Sequence, residues 1–296
     1  MRGLHARGPE LAMTQRLFSA LAAAFAAALV CYGARANPHP LPYSYPYQTV
    51  AEAKIDVEQI ADLVPVRVAR DSPDAARDAV TRFRSQLQTK LELGISDRLE
   101  LGLYFAFRQS ATADTPALRF EGLKQRLRYR FAEEGDLPLD LGVYVAVSEL
   151  YNEVELEEKL LLSRRFGYLT AGANFSVQQQ YHFEDQEWQF VYNPTAGAVY
   201  EFSPQLMLGF EYWARGTFDD VRLASLNEQD EQDERDERRD APSSARHYLG
   251  PTFLLQSGIA WWTAGLYARL DHLTDSASAG DPYGKLWIRT MVGMGF

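Results

Sequence analysis

The feature that most constrains this chain is a period of two. From residue 79 to 95 the odd positions include Phe83, Leu87, Leu91, Leu93 and Ile95, while the even positions carry Arg82, Arg84, Gln86, Gln88, Lys90 and Glu92. Successive side chains on a strand point to opposite faces, so such a segment has one apolar face and one polar face. The stretch "LKQRLRYRF" at 123–131 sharpens the choice of structure, because Lys124, Arg126, Arg128 and Arg130 fall at every second position. On a helix, residues two apart diverge by roughly 200°, which would scatter the four cations. On a strand all four share one face, opposite Leu123, Leu127, Tyr129 and Phe131.

The same alternation marks about twelve segments, at 52–63, 79–95, 98–108, 123–131, 139–148, 153–166, 169–183, 188–202, 206–215, 248–256, 259–271 and 285–296. No long helical period interrupts them. Their connections alternate in length. "GISD", "EEGDLP", "FGY", "FSPQ" and "QSG" are tight, whereas "VARDSPDAARD", "QSATADTPA", "TDSASAGDPYG" and the charged stretch at 218–246 are long. The links near Asn152 and Glu184 break the rule by being short. Long loops at one end and short turns at the other are the pattern of a transmembrane antiparallel up-and-down barrel.

The amino-terminal residues point to export. Arg2, Arg7 and Arg16 precede the apolar run "LFSALAAAFAAALVCY", and Ala34-Arg35-Ala36 follows it as a signal-peptidase pattern, so residues 1–36 are expected as a signal peptide. A start at Met13 would leave "MTQR" as the basic region. Cys31, the single cysteine, lies within this run behind Val30, where a lipoprotein signal needs a small residue. The rest of the chain can form no disulfide, so a packed core or a closed sheet must hold it. Only Arg2, Arg7, Arg16, Arg35 and Glu10 among the charged residues precede position 37, so the remainder is more acidic than the whole chain at −10. Such a balance argues against a general nucleic-acid binder.

A soluble sandwich or lipocalin-like barrel would also alternate, but its interior must be apolar. Here the candidate inward faces are charged. The other faces are aliphatic, with aromatics near their ends such as Phe131, Phe166, Phe183, Trp188 and Phe202. That is an inside-out arrangement with lipid as the outer solvent. Gln125, Gln179, Glu158 and Arg164 fit badly, since strict parity puts them on the lipid face. A bulge near "LEEKLLL" would reassign the faces there.

The terminal strand "KLWIRTMVGMGF", ending in Phe296, and the strand-turn-strand "LELGISDRLELGLY" carry a family resemblance. On these residues the chain resembles a Gram-negative outer-membrane β-barrel of the porin or channel kind. The "GISDRLELGL" turn is similar to that of a channel family associated with phenol degradation. The resemblance implies residence in the cell outer membrane, with outer-membrane lipid and lipopolysaccharide as surroundings. It also implies insertion by the barrel-assembly machinery, with Phe296 as the assembly signal.

Three function classes follow. In the first, 49–296 is a passive channel for small solutes, with small anionic or aromatic molecules as candidate cargo. Arg82, Arg84, Lys90, Arg108, Lys124, Arg126, Arg128 and Arg130 would line its pore as a basic wall with anion preference. Glu153, Glu155, Glu157 and Lys159 would line the same pore; in the second class, a non-conducting structural or interaction barrel, they would pair with that wall together with Lys54, Asp56 and Glu58. The third is a hydrolase at the rim, built from His182, His247 and His272 with Glu184, Asp185, Asp219, Asp220, Asp271 and Asp275. No G-x-S-x-G or H-E-x-x-H spacing supports it, and no cofactor motif is present.

Two segments remain. The tract at 227–240, "NEQDEQDERDERRD", mixes Arg with acid and has no fixed ligand spacing. It reads as a solvated loop rather than as a site for divalent cations. Residues 37–48, "NPHPLPYSYPYQ", contain four prolines and three tyrosines and should be extended, as a periplasmic leader to the first strand or as a plug in the lumen.

Overall fold

The computed structural model describes residues 37–68, 80–110, 117–184, 186–218, 245–270 and 283–296. The expected signal peptide and residues 219–244 of the acidic loop lie outside them, as do His272, Asp185, Asp219, Asp220, Asp271 and Asp275. Twelve strands follow one another: β1 (Ile55–Val68), β2 (Val80–Ser96), β3 (Leu99–Gln109), β4 (Arg119–Arg130), β5 (Asp140–Leu150) and β6 (Glu153–Phe166). They continue as β7 (Leu169–His182), β8 (Glu187–Ser203), β9 (Leu206–Thr217), β10 (Arg246–Ser257), β11 (Ala260–Arg269) and β12 (Leu286–Gly295).

Each strand pairs antiparallel with its sequence neighbours, and β1 closes on β12 through Asp56↔Gly295 to Leu63↔Ile288. Closure removes both sheet edges, so the backbone groups of the strands are satisfied without water. Every strand has at least ten residues, and a tilted strand crosses a bilayer in about 9–11. The short connections β2–β3, β4–β5, β6–β7, β8–β9 and β10–β11 lie at the end of the barrel that holds the carboxyl terminus.

The alternation separates outside from inside. Leu91, Leu101, Leu127, Val145, Leu160, Phe175 and Leu208 are exposed on the outer face, and Phe131, Phe166, Phe183, Trp188 and Phe202 are exposed near the strand ends. Inside lie Glu58, Lys90, Glu100, Arg128, Glu157 and Glu211, all buried. This is the lipid-facing pattern that the sequence predicts.

The bulge expected at 156–162 does not form. β5, β6 and β7 stay in unbroken register through Val145, Glu158 and Val177, so Glu158 remains on the outer face. Arg164 also stays outward and donates from Nη1 to the carbonyl of Leu137, 2.5 Å away at the short-turn end. Register shifts occur elsewhere, between Gly94 and Ser96, between Ala106 and Phe107, and between Glu201 and Ser203. At the second of these Ala106 faces Gly122 while Phe107 faces Phe120, leaving Glu121 as the extra residue. The shift explains why β4 begins before the regular alternation at 123. A side chain at Gly122 would meet the carbonyl oxygen of Glu149 at 2.0 Å, so the bend needs glycine.

Candidate functional site

The even positions of β2, β3 and β4 turn Lys90, Glu92, Glu100, Arg126 and Arg128 into the barrel, each almost fully buried. They neutralise one another. Lys90 Nζ lies 2.5 Å from Glu58 Oε2 of β1 and 3.5 Å from Glu92 Oε1. Arg126 bonds Glu92 Oε1 at 2.9 Å and also Glu100, and Arg128 donates to Glu100 Oε2 at 2.5 Å. Over the inner face of β5, Lys124 of β4 reaches Glu157 of β6 at 2.6 Å and Glu155 at 3.5 Å. Lys159 lies 3.2 Å from Glu157 of its own strand. Arg108 pairs with Glu121 and Arg130 with Glu133. Buried charges persist only when paired, and each of these charges has a partner of opposite sign.

Of the residues expected to line a pore, Arg84, Lys90, Arg126, Arg128, Glu153, Glu155, Glu157 and Lys159 are buried within the barrel, and bases alternate there with acids rather than forming a simple basic wall. Arg82 and Arg84 lie opposite Val66 and Val64 of β1, with the Arg84 guanidinium carbon 5.8 Å from the Tyr283 ring. The counter-charge for Arg126 and Arg128 comes from Glu92 and Glu100, which are not among the partners expected from the sequence. Their parity with Lys90 and Arg108 was the available signal.

A second wall was missed altogether. Trp213, Tyr248, Tyr267, Tyr283 and Trp287 form one buried cluster with Val64 and Val66. Trp213 stacks on Tyr248 at 4.2 Å and meets Trp287 edge-on at 5.1 Å. Inward aromatics of β9 to β12 look apolar in sequence, so alternation alone does not distinguish them from lipid-facing ones.

Residues 37–50 run between these two walls. Of the two expectations for residues 37–48, a periplasmic leader or a plug in the lumen, the placement matches the second: the segment lies inside the barrel, with His39, Leu41, Ser44, Tyr47 and Val50 all at 5% exposure or less. The segment enters where Asn37 N donates to Asp56 Oδ2 at the short-turn end of β1. It rises until Tyr43 stacks on Trp213 at 4.4 Å beneath the Arg289 guanidinium, 3.7 Å from the Tyr43 ring. It then returns, so that Thr49 Oγ1 donates to the carbonyl of Asp97 in the β2–β3 turn. Prolines 38, 40, 42 and 46 hold it extended and remove donors that could join a ladder.

Two buried acids grip its backbone. Glu211 accepts from the N–H of Tyr43 at 3.0 Å, the N–H of Ser44 at 2.6 Å and the hydroxyl of Tyr267 at 2.5 Å. Glu100 accepts from the N–H of Val50 at 2.7 Å. Tyr45 lies between Lys90 and Lys159, 4.8 and 4.6 Å from its ring. Ser44 reaches Thr195 of β8, and Arg128 of β4 donates to the carbonyl of Pro46. The segment thus touches opposite sides of the barrel and fills its bore. Beyond it, toward the long loops, remains a cavity of about 190 Å³ with Tyr43 and Tyr45 in its floor. Arg108, Lys124, Lys159, Arg215 and Arg289 line it together with Glu121, Glu153, Glu155 and Glu157.

Among the described residues, His182 and His247 do not share a rim site. His182 points inward and lies 3.1 Å from Glu153, whereas His247 faces outward on β10, its Nδ1 2.8 Å from the hydroxyl of Tyr212. Phe296 extends the closing seam, its N–H donating to the carbonyl of Ile55 at 2.8 Å.

No protein-family model matches the chain, and no curated protein matches it. Solved structures do. The COG4313 outer membrane channel from Pseudomonas putida F1 aligns over 84% of this chain and 98% of its own, at 10% identity and a TM-score of 0.57. The NanC porin aligns over 81% and 98%, at 9% identity and a TM-score of 0.50. Likeness at such low identity is likeness of fold, and it leaves the narrower phenol-degradation resemblance unestablished. With the apolar exterior and polar interior already described, it shows the fold: a closed twelve-stranded transmembrane β-barrel of the kind seen in outer-membrane channels.

Proposed function

We propose that this barrel is a passive channel for small solutes, closed in the state described by its own residues 37–50. One observation carries the reading: a polar cavity on the long-loop side ends on a segment that crosses the bore outside the strand ladder and is held there by side-chain hydrogen bonds, stacking and cation–π contacts. A barrel interior built only for rigidity needs no removable cross-piece.

The charge pattern refines the selectivity. A basic wall alone would favour anions, but Arg126 and Arg128 are spent on Glu92 and Glu100, and the cavity mixes bases with acids. Weak ionic selectivity is therefore expected. The rings of Tyr283 and Trp287 along one side of the cavity make small aromatic solutes candidate cargo. Phe296, half exposed beside β1, is the proposed signal to the assembly machinery.

Conductance in planar bilayers tests this. The intact chain should open rarely, and a variant lacking residues 37–50 should give stepwise conductance with a reversal potential near that of an unselective pore. Absence of steps from the shortened chain at every voltage would favour the non-conducting structural barrel, which the dense ion pairing also suits. In a conducting barrel, replacing both Arg126 and Arg128 by Ser should turn the pore toward cations. An unchanged reversal potential would remove those residues from the selectivity argument.

A further inference from the structure

We infer that His39, Glu58 and Glu92 form a binding site for one divalent cation of zinc's chemical class, which fastens the inserted segment to the barrel wall. The three residues come from three separate elements: the segment itself, β1 and β2. All are buried, with His39 at 2%, Glu58 at 1% and Glu92 at 0% exposure. One donor atom from each lies within 4.8 Å of the other two. His39 Nε2 and Glu58 Oε1 are 3.3 Å apart, about the separation of two ligands on a tetrahedral ion with bonds near 2.0 Å.

The unused lone pairs identify the site. His39 Nε2, Glu58 Oε1 and Glu92 Oε2 have no hydrogen-bond partner. The other oxygen of each carboxylate is occupied, Glu58 Oε2 by Lys90 at 2.5 Å and Glu92 Oε1 by Arg126 at 2.9 Å. Such outer contacts orient a ligating carboxylate and leave its second oxygen for the metal. A proton shared between His39 and Glu58 would satisfy two of the three atoms and leave Glu92 Oε2 buried without a partner, which costs free energy. A divalent ion satisfies all three.

The imidazole is held for this role. It stacks on Trp261 at 5.5 Å and 19°, and the carbonyl of the same residue accepts from Thr263 Oγ1 at 2.8 Å. One imidazole with two carboxylates suits zinc better than calcium or magnesium, which take oxygen ligands.

The test uses the full-length chain folded in detergent, stripped with chelator and titrated with zinc chloride, with bound metal counted after equilibrium dialysis. The wild type should hold one zinc per chain that His39→Ala and Glu92→Gln each weaken by at least about tenfold. His182→Ala, which alters a different buried His–Glu pair, should leave that zinc in place. Zinc should also slow proteolysis within residues 37–50 of the wild type and not of His39→Ala. His39 lies outside every strand, so the variant barrel is expected to fold, and retention of heat-modifiable migration checks this. No bound zinc in the wild type, or equal binding by wild type and His39→Ala, overturns the proposal.

Discussion

The two sides of the lumen are built on opposite principles. From β1 to β6 the wall is made of charges, each cancelled by a neighbour a few ångströms away, as Arg126 is by Glu92 and Glu100. From β9 to β12 it is made of stacked rings, with Glu211 as the lone buried acid and its charge spent on the segment's N–H groups and Tyr267. The charged wall is geometrically exacting, because a missing partner leaves a buried ion uncompensated. The aromatic wall supplies area and tolerates displacement. A removable segment gripped by both gains a fixed seat from one side and a forgiving surface from the other.

The contrast can be broken most forcefully at Glu100. Changing Glu100→Ala takes from Arg128 its paired carboxylate and leaves Arg126 with Glu92 alone, and should destabilise the barrel by about 3–5 kcal/mol in denaturant unfolding from lipid vesicles. A loss below about 1 kcal/mol would mean that the charged wall is not what holds β2 to β4 in place. Next in size is Trp213→Ala, which removes the ring between Tyr43 and Tyr248. It should cost about 3 kcal/mol and raise the open probability in bilayers, whereas Glu100→Ala should lower stability with a less specific effect on opening. Equal effects on opening would erase the proposed division between seat and surface.

On the lipid face, Glu158→Leu replaces an outward carboxylate beside Val145 and Val177. It should stabilise the inserted barrel by up to about 2 kcal/mol, less than a midplane Arg or Lys would cost. The smallest effect belongs to Glu133→Gln, whose pair with Arg130 is half exposed at the short-turn end. It should change stability by less than about 1 kcal/mol, which unfolding would register as a near-superimposable curve. A large loss there would show that burial is not what separates the wall from the rim.

Strand number, barrel closure and the inward direction of Lys90, Arg126 and Glu157 were legible because parity is a local property of the chain. Which acid meets which base was not, since Lys90–Glu58 and Lys124–Glu157 depend on registers between strands. The bulge opposite Ala106 hid in the same way, as Glu121 breaks parity only relative to a partner strand. The prolines of residues 37–48 announced an extended segment barred from the ladder, but nothing local says which side of the sheet it takes. Its place is set by Glu211, Glu100 and Trp213, far away in sequence. The inward rings of β9 to β12 were hidden for a simpler reason: hydropathy does not tell an aromatic that faces lipid from one that faces another aromatic.

The segment enters and leaves the barrel at the same end, bound to β1 by the few residues between Val50 and Ile55. Its departure would therefore never be a true dissociation. Once out of the bore it would remain a tethered ligand of its own channel, at a local concentration set by that short leash rather than by the number of molecules in the membrane. Reclosing would be a first-order event, equally prompt for one barrel alone and for a crowded membrane, and the balance between shut and open would be carried by each molecule individually.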